Sequence, residues 1–138
     1  MPCGAIITAH IINRRLDASG LPATLSYKIL TEVLRKQLQF KGVIITDDMQ
    51  MNAIRNHYEL GRALELSINA GADMLMFGNN TENEPQNPSQ LIDLIEAKVK
   101  SGQISAQRIN QAYERILKFK QFIAVHGKNP VSASGIAG

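Results

Sequence analysis

The chain has 138 residues, enough for one ordinary domain and too few for two well-packed ones. Hydrophobic residues make up 44% and charged residues 20%, the balance of a folded globular protein rather than a disordered one. The net charge is only +3 despite a pI near 9.2, and fifteen basic residues are interleaved with twelve acids, so no nucleic-acid partner is expected.

No apolar run approaches the ~20 residues a membrane helix needs, and no membrane partner is expected. Met1-Pro2-Cys3-Gly4 shows no basic stretch followed by an apolar one, so no secretion signal is read and a cytoplasmic location is expected. Cys3 is the single cysteine and excludes an internal disulfide. No His, Cys, Asp or Glu set has metal-site spacing, and no glycine-rich phosphate loop appears; neither a metal nor a cofactor is expected.

In chain order, residues 5–9 (AIITA) read as a buried strand ending at His10. Residues 11–25 read as a loop, with turn chemistry from Asp17, Ser19, Gly20 and Pro22. Ser26 is a candidate N-cap for a helix through Leu38, whose apolar positions Ile29, Leu30, Val33, Leu34 and Leu38 recur at helical spacing. Residues 42–46 (GVIIT) form a second strand, apolar on both faces, as a parallel strand covered by helices should be. A helix is expected over about 59–70 with Gly71 as its stop, then a third strand over 73–77 (DMLMF). Ser89 and Ser105 are candidate caps for two further helices, Ile104 and Ile109 have the spacing of a hydrophobic staple, and the segment from Gly127 reads as loose. The alternation of strands and helices predicts an α/β fold with a parallel sheet.

The segment with most chemistry in it is Thr46-Asp47-Asp48-Met49. Two adjacent acids directly after a buried strand must be paired, hydrogen-bonded or used, because burying a lone carboxylate costs several kcal/mol. Loops after the C-terminal ends of parallel strands are also where ligands bind. Strand alternation groups Asp47 with Val43 and Ile45, and Asp48 with Ile44 and Thr46, so only one acid can face a substrate. Spacing alone leaves open a plainer reading, in which one acid caps a helix or closes a turn.

These residues, with IITAH at 6–10, LPATLS at 21–26, the run 34–51, AGADMLM at 70–76, GQI at 102–104, RIN at 108–110 and ERIL at 114–117, resemble family 3 of the glycoside hydrolases. The resemblance implies a partial (β/α)₈ barrel: the last three strands and their helices over residues 1–124, followed by a flexible tail over 125–138. It implies that Asp47 is the catalytic nucleophile of a retaining enzyme, ionised and held by hydrogen bonds near a developing oxocarbenium ion. The Thr-Asp-Asp-Met form is more similar to the β-N-acetylhexosaminidase branch than to the β-glucosidase branch, where an aromatic residue commonly follows the nucleophile. The implied partner is a carbohydrate, an N-acetylglucosaminide-like substrate, with His10, Asp48 and Met49 as candidate substrate-binding residues. Relatives occur inside and outside cells.

One departure matters. In that branch the acid/base is a His–Asp pair on an upstream loop within a Lys-His-Phe-Pro-Gly-His-Gly-like stretch, and no such stretch occurs in this sequence. The expectation is therefore a portion of a barrel that is inactive alone and that self-associates or docks with a missing N-terminal portion. A catalytically inactive carbohydrate-binding or assembly module is the alternative. His10 reads either as a wall of the sugar pocket or as a hydrogen-bonded structural histidine. His57 and His126 read as solvated. Asn79 and Asn80 read either as contacts to sugar hydroxyls or, the favoured reading, as turn residues, and Met49, Met51, Met74 and Met76 as core or pocket wall.

Overall fold

A computed structural model of the chain describes residues 4–80 and 85–127. Cys3 lies outside the described residues. Strand β1, Ala5–Ile7, runs parallel to β2, Val43–Ile45, in the register Ala5–Val43, Ile6–Ile44 and Ile7–Ile45. Between them lie a 3₁₀ turn, Ala23–Leu25, and a helix, Lys28–Gln37. After β2 come α1, Asn52–Arg55; α2, Leu60–Ala70; α3, Pro88–Lys100; and α4, Ala106–His126. Parallel strands joined through helices make the fold α/β.

Each helix begins where its cap chemistry dictates. Glu59 caps α2, its carboxylate accepting from Gly61 N at 2.8 Å and Arg62 N at 3.0 Å, which holds the Glu59 carboxyl below the usual carboxylate range. At the other end of α2, Gly71 has φ 122°, where a Cβ would fall 2.8 Å from Thr31 Oγ1. Ser105 caps α4 by accepting from Arg108 N, as its position suggested. The cap of α3 is Asn87 rather than Ser89: Pro88 takes the first helical position, so the cap lies before it, and Ser89 N donates to Asn87 Oδ1.

Further expectations need correction. The strand expected to be buried over 5–9 is limited to Ala5–Ile7, and Ala5 and Ile7 are exposed because β1 is an edge strand of a two-stranded sheet. The helix Lys28–Gln37 is of the wide π form, closing with Leu38 N donating to Val33 O. The wider turn displaces the α-helical stripe, and Leu38 ends up 69% exposed just before Gln39, which has φ 56°. Ser26 still serves the start of this helix, accepting from Ile29 N while its hydroxyl donates to the buried Asp17. The third strand is reduced to a single parallel bridge between Ile45 and Met74. The ladder stops there because Met76 N donates to the side chain of Thr46 instead of to a backbone carbonyl. Finally, helix α4 reaches His126, so Val125 and His126 are not part of a loose tail; residues 128–138 lie outside the described residues.

The helices lie over one face of this small sheet. Ile44, fully buried, packs with Leu30, Ala70 and Ala72, and Leu75 adds to that cluster. A second cluster of Leu25, Met49, Ile54 and Ala63, flanked by Phe77, seats the loop that follows β2. At one edge, Asp73 is the hub of an ion-pair cluster: its fully buried carboxylate meets Arg35 at 2.5 Å, Arg115 at 3.0 Å and Arg108 at 3.2 Å, and accepts from Ile44 N at 3.1 Å. The opposite face carries the fully buried Val43 together with Ile7, Met74 and Met76, which are 59%, 37% and 38% exposed.

Candidate active site

The two acids sit where β2 ends, and the chain there is held from both sides. Thr8 N, just past β1, donates to Ile45 O at 2.9 Å, and Met49 N donates to Met76 O at 2.9 Å. Buried Thr46 contributes its hydroxyl to Met76 N at 3.0 Å. These bonds clamp the loop between the segments on either side and leave its side chains little freedom of placement.

Threonines supply the rest of the scaffold. Thr8 and Thr24, both buried, share a hydroxyl–hydroxyl bond of 2.7 Å, and Thr24 Oγ1 lies 2.9 Å from His10 Nδ1. His10 Nε2 lies 2.8 Å from the Asp48 carbonyl and must be the donor there, since a carbonyl only accepts. His10 thus ties the end of β1 and the 3₁₀ turn to the backbone of the acid loop. Thr8 and Thr24 were not legible as site residues: Thr8 lies in an apolar run, where a threonine looks like an ordinary strand residue, and Thr24 in a stretch read as a loop.

The carboxylates have different employment. Asp48 Oδ1 accepts from Gln50 N at 2.9 Å and Gly78 N at 3.0 Å, closing the turn after β2 and joining it to the segment beyond Phe77. Asp47 accepts only from Asp48 N, at 2.8 Å through Oδ1, among the described residues, and its own N–H donates toward Thr8 Oγ1 at 3.4 Å. Both acids are half-buried. One carboxylate is thereby spent on the loop, and the other keeps an oxygen with no partner among the described residues.

Met49 is buried in the core cluster beside Leu25 and Ile54, where it anchors the loop from below. Asn79 has φ 51° and pairs with the backbone of Gln86 in both directions, while its N–H donates to Gln50 Oε1: it closes a turn. A shallow cleft beside the loop is lined by Asp48, Gln50, Met51, Asn52, Ala53 and Asn80, and Asp47 is not on its wall. His57 is exposed, and His126 stacks on Phe122 at 4.2 Å between ring centroids. Among the described residues there is no group of three or more His, Cys, Asp or Glu able to hold a metal, and no helix is long and apolar enough to cross a membrane.

Gly78 is required by this arrangement. A Cβ there would fall 2.3 Å from Asp48 Oδ2, so Gly78→Ala forces the carboxylate off its two amides. Loss of two hydrogen bonds to a charged, half-buried acceptor is expected to destabilise the chain by about 1–3 kcal/mol. Urea unfolding measures it; an unchanged midpoint would show that Asp48 does not hold the loop.

The acid pair follows the C-terminal end of a parallel strand in an α/β unit, the end at which such folds bind ligands. The sequence profile of the glycosyl hydrolase family 3 N terminal domain matches residues 1–119, and the chain belongs to that family. The chain is 30% identical to beta-hexosaminidase A of Pseudoalteromonas piscicida, over 99% of its own length and 24% of that protein's. It superposes on a family 3 β-N-acetylglucosaminidase of Paenibacillus sp. str. FPU-7 with a TM-score of 0.79 and 34% identity, covering 95% of this chain and 24% of that one. With the β-N-acetylglucosaminidase of Thermotoga maritima the TM-score is 0.77 at 29% identity, over 86% of this chain and 25% of that one. The chain therefore spans about a quarter of the length of each of these relatives.

Proposed function

We propose that this chain supplies the nucleophile, Asp47, and the last three βα units of the barrel of a retaining β-N-acetylhexosaminidase. The observation that carries the reading is the division of labour between the acids: Asp48 is held by Gln50 N and Gly78 N, while Asp47 keeps an oxygen with no partner among the described residues. Family membership and the hexosaminidase names of its relatives support the substrate class. In the first step the free Asp47 oxygen attacks the anomeric carbon, the bond to the leaving oxygen breaks, and an acid protonates that oxygen. Water then gives up a proton to that same group, now a base, and attacks the glycosyl–Asp47 ester; the bond to Asp47 breaks, freeing its carboxylate and releasing the sugar with its original configuration. The Asp48 N–H, directed at the other Asp47 oxygen, orients the nucleophile.

The proton donor comes from residues outside this sequence, since none of the 138 residues resembles the family's acid loop. Losing general acid–base assistance costs about 10²–10⁴-fold. The purified chain is expected to show no turnover of an aryl β-N-acetylglucosaminide above buffer. Turnover within tenfold of the roughly 10 s⁻¹ typical of enzymes, abolished by Asp47→Asn, would overturn this division of the machinery.

The face bearing Ile7, Met74 and Met76 is the side on which strand parity sets Asp47. In the proposed barrel it faces the interior and is covered by the remaining strands. Offered alone in water, such a face, with an unpaired edge at β1, is expected to self-associate. Sedimentation velocity should show dimers or larger species that increase with concentration; a monomer at high concentration would refute this.

A further inference from the structure

We propose a second ligand site, an oxyanion-binding cleft at the opposite end of β2 from Asp47, formed by Arg35, Lys41, Arg115 and Lys118. The cleft, of about 330 Å³, is lined by these four cations together with Phe40, Gln111 and Glu114. A water occupies about 30 Å³ in the liquid, so a phosphate- or carboxylate-sized group fits with several waters around it. Four cations face one acid. Lys41, Lys118 and Glu114 make no ion pair among the described residues, so that charge is not settled within the wall.

The region behind the cleft is also electron-poor. Three guanidinium groups share the single carboxylate of Asp73, and both of its oxygens are already used: Oδ2 by Arg35 and Ile44 N, Oδ1 by Arg108 and Arg115. Arg35, whose side chain is only 9% exposed, also donates to the carbonyls of Gly42 and Gly71, and still leaves Nε buried without a partner. Arg108 likewise leaves Nη1 buried and unpartnered. Arg115, 26% exposed, commits Nη1 to Asp73 and has further donors in its fork. Burial pushes the pKa of Arg35 and Arg108 down, and the charge of Arg115 adds to that effect in both. Arginine nonetheless stays protonated in proteins, so the excess positive charge is permanent.

A ligand in the cleft meets Lys41, Lys118 and the free donors of Arg115, and must be anionic and able to accept several N–H bonds at once. A guanidinium fork suits phosphate or carboxylate oxygens, and two lysines add point charges on the rim. Free phosphate, a phosphate ester and a carboxylate offer the same oxyanion chemistry. The cleft lies at the Gly42 end of β2, remote in the strand from the acid loop, so a ligand here would not compete for Asp47.

The test uses the full chain and inorganic phosphate, with chloride at matched ionic strength as the control. Ligand that binds only the folded state raises Tm in a saturable way. Phosphate is expected to do so and chloride not. Calorimetric titration should give one site, weakened at least tenfold by the double variant Lys41→Ala/Lys118→Ala. Neither lysine bonds to the fold, so the variant should unfold like the parent without phosphate, and Lys41→Arg/Lys118→Arg should restore binding. Methyl phosphate and malonate in parallel separate a phosphate site from one that also takes carboxylates; a saturable response to either supports an oxyanion cleft. A phosphate response no larger than that of chloride, or one unchanged in the double alanine variant, would overturn the proposal.

Discussion

Asp47→Ala is expected to abolish turnover when the rest of the barrel is supplied by fusion or co-expression, by about 10⁴-fold or more, the scale on which removing a covalent nucleophile acts. Asp48→Ala should behave differently. Its carboxylate bonds Gln50 N and Gly78 N, so its loss removes support from the loop but not the attacking group. Two such bonds contribute roughly 1–3 kcal/mol, which corresponds to a drop of tens-fold rather than extinction. A sharper measurement than residual rate is the covalent intermediate itself. A slow fluorosugar substrate should label one carboxylate in the peptide between Gly42 and Arg55, and mass mapping should find it on Asp47. Label on Asp48, or on no residue of that peptide, would show the nucleophile to be elsewhere.

Asp73→Ala is expected to be strongly destabilising. The carboxylate is fully buried and meets three arginines, and two of those side chains are only 9% and 11% exposed. Removing it leaves buried guanidinium groups facing one another without a counter-charge, a change that costs about 3–5 kcal/mol. Against a total stability of about 5–15 kcal/mol for an ordinary domain, that is a large fraction. Equilibrium unfolding in urea, followed by circular dichroism, should show a much lower midpoint or no folded baseline. Arg115→Gln should cost clearly less, because that side chain is the most exposed of the three partners. Equal midpoints for Asp73→Ala and the parent would mean that the cluster is not holding α4 and the π-helix to β2.

Much was legible in the sequence where local chemistry decides the outcome. The strand cores at Ala5–Ile7 and Val43–Ile45, helix α2 with its Gly71 stop, and the Ser105 cap of α4 follow from apolar runs, caps and a glycine at positive φ. The acid pair after β2 was visible for the same reason: charged residues at the end of a buried run are conspicuous. The family too was readable, because its motifs are continuous stretches in order.

What only the tertiary structure decided are the choices between partners far apart in the chain. The third strand was expected from the apolar run at 73–77, yet Thr46 takes Met76 N and ends the ladder after one bridge. The helix after Ser26 took the π form, and Leu38 turned outward, which a 3.6-residue pattern does not encode. The roles of Asp47 and Asp48 were separated by Gly78, thirty residues on in the chain from Asp48, and by the Thr8–Thr24–His10 chain that grips the Asp48 carbonyl. The Asp73 cluster joins residues 35, 73, 108 and 115, none of which is conspicuous by itself. Hydrophobic period and capping act over a few residues and can be read from sequence. A hydrogen bond or ion pair between segments tens of residues apart depends on how the packed elements bring their side chains together, and only the folded chain shows it.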